Sequence, residues 1–79
     1  MPRYFFDTYD RVMTRDEEGT ELAGPHEAAQ EAKKLLPLIA AGEVPADGEH
    51  QAFTVLVTDE EGRSIYSAAL SYVGTWLIR

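Results

Sequence analysis

The residues of this chain that could do chemistry are its carboxylates, two histidines and a few serines. It holds 14 Asp and Glu against 7 Lys and Arg, and one acidic tetrapeptide occurs twice, as Asp16-Glu17-Glu18-Gly19 and as Asp59-Glu60-Glu61-Gly62. Brought together, these carboxylates would offer the hard oxygen ligands that Ca²⁺ and Mg²⁺ prefer. The spacing argues otherwise. It lacks the alternating ligands and distant closing Glu of an EF-hand loop, and neighbouring Glu side chains on a turn diverge. Backbone geometry explains each tetrapeptide by itself. Asp at the first position of a type I turn accepts local N–H groups, the two Glu at the tip face water, and Gly takes the left-handed conformation that closes the turn. Turns are therefore expected at both places, with a cation-binding or hydrolytic role for them as the alternative.

The other candidates are isolated. His26 and His50 have no ligand three or four positions further on, so both are expected as surface residues without a metal motif. Ser64, Ser67 and Ser71 lack the Gly-x-Ser-x-Gly setting of a nucleophile, and there is no Gly-rich phosphate loop. A domain with one helix has little room for a substrate pocket. No catalytic residue, cofactor or metal ligand is expected, and the reading is non-enzymatic.

Composition narrows the field further. The net charge of −7 repels phosphate backbones, and the basic residues form no run, so nucleic-acid binding is disfavoured. There is no cysteine, hence no disulfide and no thiolate metal site. The opening Met1-Pro2-Arg3-Tyr4-Phe5-Phe6 lacks the apolar run of a signal peptide. No stretch approaches the length needed to span a bilayer. A cytoplasmic protein of one domain, residues 1–79, is expected.

The elements that must position any site follow from periodicity. Residues 3–9 are aromatic-rich and read as a strand, followed across Asp10-Arg11 by a short second strand, Val12-Met13-Thr14. Gly24 before Pro25 marks a helix start. Ala28, Ala32, Leu35, Leu36 and Ile39 form one stripe of that helix. Pro37 is expected to kink or break it near Leu36, with Gly42 as its stop. Residues 52–58 and 63–70 are two strands joined by the second acidic turn. The fold class is α+β: an antiparallel sheet of three or four strands in β-β-α-β-β order, with one main helix on one face. The expected core is Tyr4 or Phe5, Phe6, Leu22, Ala28, Ala32, Leu35, Leu36, Ile39, Phe53, Val55, Val57 and Ile65.

Both sheet faces then carry large apolar groups, more than one helix can cover. Either the segment around Trp76 folds over the second face, or that face or an edge strand meets another chain. Phe5, Tyr9, Leu56, Tyr66, Leu70 and Trp76 are the candidate interaction surface. The function expected is a small protein-interaction module, binding a protein partner or itself, with a homodimer as one form. Aromatic groups on an open sheet also admit single-stranded nucleic-acid binding as an alternative, against the charge.

Three segments carry a resemblance: the opening Met1 to Phe6, the segment Asp16 to Leu22 before the helix, and the hairpin Val57 to Gly62. Together they resemble a family of short, uncharacterised bacterial proteins that begin M-P-R-Y-F-F, carry D-x-E-G-x-E-L before the helix, and have a V-x-D-E-x-G hairpin. The resemblance implies a bacterial, cytoplasmic domain of unknown function and supplies no catalytic residues. Pro37 and the Gly-Thr-Trp-Leu ending depart from that pattern. The element order is also similar to that of antitoxin-type domains, a likeness of order only.

Overall fold

Residues 1–46 and 48–78 are described by a computed structural model. Apolar residues at every second position build its central strand, β4 (His50–Thr58). Phe53, Val55 and Val57 on one side of it are almost completely buried. β5 (Ser64–Val73) pairs with β4 antiparallel through the second acidic turn, and β1 (Arg3–Asp10) pairs with its other edge, also antiparallel. Two short pieces, β2 (Val12–Thr14) and β3 (Thr20–Glu21), both flank β1. The order is β2-β1-β4-β5, with β3 a two-residue piece beyond the three or four strands expected.

The helix α1 (Pro25–Glu43) covers one face. Gly24 is its N-cap in an extended conformation, and Pro25 opens the first turn. Ala28, Ala32 and Leu36 are buried, with Leu35 and Ile39 packed beside them. The small alanines let the helix backbone approach β4 and β5 closely.

Of the kink or break expected at Pro37 the break does not occur: the helix runs through Pro37 to Glu43, one residue past the expected stop at Gly42. Pro37, Lys33 and Leu38 all lie on the exposed side, where water can satisfy the carbonyl that the proline leaves unpaired. The longer helix also leaves Lys33 and Lys34 short of its last turn, which holds no basic residue.

The core is close to the expected set. Of the first pair it takes Tyr4, which is buried, while Phe5 lies on the other face. Phe6, Leu22, Leu35, Ile39 and Ile65 are half-buried against it. Ile65 is the extra residue of a bulge, since Val57 pairs with Tyr66 and Thr58 with Ser64. An unforeseen polar member is Gln51, whose Nε2 donates to the carbonyls of Gly48 (2.8 Å) and Val44 (3.3 Å). That amide ties the helix exit to the start of β4.

Candidate interaction surface

The strand register sorts every candidate residue to a face. Phe5, Asp7 and Tyr9 of β1 lie opposite Thr58, Leu56 and Thr54 of β4, and Leu56 and Thr54 lie opposite Ser67 and Ala69 of β5. This is the face the helix leaves open. Tyr9 also pairs with Met13 of β2, and both are about half exposed. Asp7, Tyr9, Met13, Thr54, Leu56 and Ser67 line a shallow, mostly apolar hollow of about 280 Å³. Phe5, Tyr9 and Leu56 are thus brought together on one face.

The other three expected residues are elsewhere. Tyr66 and Leu70 lie opposite Val57 and Phe53, so they share the helix side, at the edge of the sheet. Trp76 lies past the end of β5 and is 75 % exposed, so the C-terminal segment does not fold over the open face. Leu77 and Ile78 beside it are as bare. Pairing stops at Gly74, whose N–H donates to the Glu49 carbonyl at 2.8 Å. Met13, Leu77 and Ile78 were missed as candidates. The signal for the last two was the lack of any charged residue from Ser64 to Ile78.

The two acidic tetrapeptides are turns of different kinds. Asp59 sits in a hairpin. Its backbone carbonyl accepts from Gly62 N–H (3.0 Å), and its carboxylate accepts from the N–H of Glu61 and Arg63 and from Arg63 Nε. The Arg63 N–H, together with its guanidinium, holds the Asp59 carboxyl below its ordinary range, against a smaller effect of burial. Gly62 is left-handed, with φ +80°, and open space surrounds the position of a Cβ. Gly62→Ala is therefore expected to cost only the conformational penalty, about 1 kcal/mol, read as a small drop in the thermal midpoint.

The first tetrapeptide closes no hairpin. It spans the interval between β2 and β3, opposite residues 5–7 of β1. There the Asp16 carboxylate stands in for a missing strand partner. Its Oδ2 accepts from the Phe6 N–H (3.1 Å), and its Oδ1 from the N–H of Glu18 and Gly19. The Asp16 N–H in turn donates to Asp7 Oδ1 at 2.9 Å. Arg3 adds a bond to the Glu18 carbonyl and a long ion pair to Glu21. Burial alone would raise the Asp16 carboxyl. The N–H groups of Gly19, Phe6 and Glu18, and then the charge of Arg3, outweigh it and hold the carboxyl below its ordinary value.

Both aspartates are thus committed to backbone donors. Among the described residues no three His, Asp or Glu side chains gather as metal ligands, and no helix is long and apolar enough to cross a membrane. His26 and His50 are exposed.

Residues 3–71 match a domain of unknown function, DUF6894, and the chain belongs to that family. No curated protein and no solved structure matches the chain.

Proposed function

We propose that this DUF6894 chain is a non-enzymatic protein-interaction module of the bacterial cytoplasm that works by associating with itself. The observation that carries the reading is surplus surface. The chain exposes 5758 Å². A folded monomer of its mass, 8.8 kDa, exposes about 4,800 Å². The excess, about 1,000 Å², is close to the roughly 800 Å² that each partner contributes to a stable interface. The shape agrees: the radius of gyration is 14.5 Å, against about 11.6 Å for a compact domain of this length. Large apolar side chains are exposed at Tyr9, Met13, Val73, Trp76, Leu77 and Ile78. Large bare apolar surface marks an interaction site.

The rival readings have less support. A cation role would need the Asp16 and Asp59 carboxylates, which the backbone N–H groups of each turn already occupy, and no three His, Asp or Glu side chains gather as metal ligands among the described residues. A nucleic-acid role would work against the charge of −7.

Sedimentation equilibrium from about 1 to about 100 µM tests the proposal, a range that brackets the micromolar affinities of modest interfaces. The expected result is a concentration-dependent dimer. Because Trp76 is the single tryptophan, its emission should shift to the blue as the dimer forms. A strict monomer across the range, with unchanged emission, overturns the proposal.

A further inference from the structure

We infer that two copies of this chain join edge to edge, β5 against β5 in antiparallel pairing, into one continuous sheet with its two-fold axis close to Ser71. The inference rests on the self-association proposed above and names the surface responsible. Its ground is the contrast between the outer borders of the sheet. Beside β1 the border is broken into pieces of three and two residues. It is interrupted by the acidic loop and turned by Arg11 in a left-handed conformation, φ 65°. Short, charged, irregular borders resist pairing with other chains. β5 has none of this protection beyond the bulge at its start. It is ten residues long, pairs only with β4 among the described residues, and contains no charge and no proline.

Charge selects the same border. The molecule carries −7, so two copies repel over most of their surface. Residues 64–78 are the longest uncharged run of the chain, 15 residues. At about 3.3 Å per residue such a run spans about 50 Å when extended, close to the 54 Å long axis of the molecule. A two-fold axis at the middle of the run falls on Ser71. Within the two strands Leu70 then faces Tyr72 of the second copy, and Tyr66 faces Trp76 of the second copy once residues 74–78, which lie beyond β5, extend along the partner's edge. Such aromatic and aliphatic cross-strand pairs are the stabilising unit of a sheet. These side chains are the ones left incompletely covered: Leu70 and Tyr72 are 38 % and 39 % exposed beside the helix. The joined sheet would end on both sides in the broken β2 and β3 border, so pairing closes at two copies.

Ser71 is exposed, which makes it a clean probe. Ser71→Lys and Ser71→Glu each set like charges across the axis, and each alone should weaken the dimer about fivefold or more. Mixing the two variants should restore dimerisation, which a misfolded variant would not do. In the cysteine-free chain, Ser71→Cys should oxidise to a disulfide dimer in high yield, since facing residues of an antiparallel pair lie within disulfide range. If the native chain dimerises but the Lys and Glu variants do so equally well, or their mixture recovers nothing, edge pairing is wrong and self-association by another surface stands. A monomeric native chain overturns both.

Discussion

Gly19→Ala should destabilise the domain by about 3 kcal/mol, with a fall in the thermal midpoint of about 12–24 °C for a domain of this size. Two penalties combine. Gly19 is left-handed, with φ +73°, a conformation that disfavours any side chain. A Cβ there would also lie 2.9 Å from the Tyr4 carbonyl oxygen, 2.8 Å from Arg3 Cγ and 2.9 Å from Phe5 Cε2. The carbonyl belongs to β1, and moving it would disturb the pairing of Tyr4 with Thr20. Gly62 ends an identical tetrapeptide and has a similar φ, yet nothing crowds it. The pair therefore separates backbone conformation from close approach. Equal midpoint shifts in the two alanine variants would show that the loop around Gly19 stands away from β1.

That difference marks the limit of what was legible in the residues. The order Asp-x-x-Gly specifies a turn from local chemistry, because its acceptor and its left-handed residue lie within the segment. Both glycines do take positive φ. What the turn connects depends on strands elsewhere in the chain, and here identical tetrapeptides close a hairpin in one case and bridge an edge in the other. The same rule covers the rest of the fold. The alternation from Ala52 to Thr58, the Gly24-Pro25 helix start and the stripe from Ala28 to Ile39 are periodic signals, and they place β4, α1 and the covered face. Pro37 does not break the helix, because the cost of a helical proline depends on whether water reaches the unpaired carbonyl, which is a property of packing. The choice between Tyr4 and Phe5 was one of register, where a one-residue step exchanges the two faces. β3 was invisible because two residues carry no period. Of the interaction candidates, Phe5 and Tyr9 group by alternation within β1, and Leu56 joins them through the register of β1 with β4. Tyr66 and Leu70 pass to the other face because their side follows from pairing with Val57 and Phe53. The bare segment after Gly74 is legible only as an absence of charge, a signal that periodicity does not weigh.

Asp16→Ala should cost about 2–3 kcal/mol at neutral pH, since hydrogen bonds to charged groups are worth that much and the Phe6 N–H is left without its acceptor in a half-buried gap. Asp16→Asn should be nearly as damaging. The carboxylate serves Phe6 with one oxygen and Glu18 and Gly19 with the other, and an amide offers only one oxygen. Its NH₂ must then face a backbone N–H. The pH dependence follows from the direction of the carboxyl's shift. Asp16 titrates below its ordinary value of 3.8 in the folded chain, so the unfolded chain takes up the proton first. Its stabilisation is complete above the unfolded value and is lost as the pH falls through the folded one. Thermal melts of native protein and Asp16→Ala should therefore differ most near neutrality and converge as the solution is acidified below about pH 3.8. Asp59 is shifted in the same direction, so both proteins should still weaken in acid. A gap between the two that stays constant from neutral pH to pH values well below the carboxyl range would mean that the charge of Asp16 is not what holds β2 and β3 against β1. The interrupted border would then need another explanation, and with it the asymmetry that leaves β5 as the edge open to a second copy.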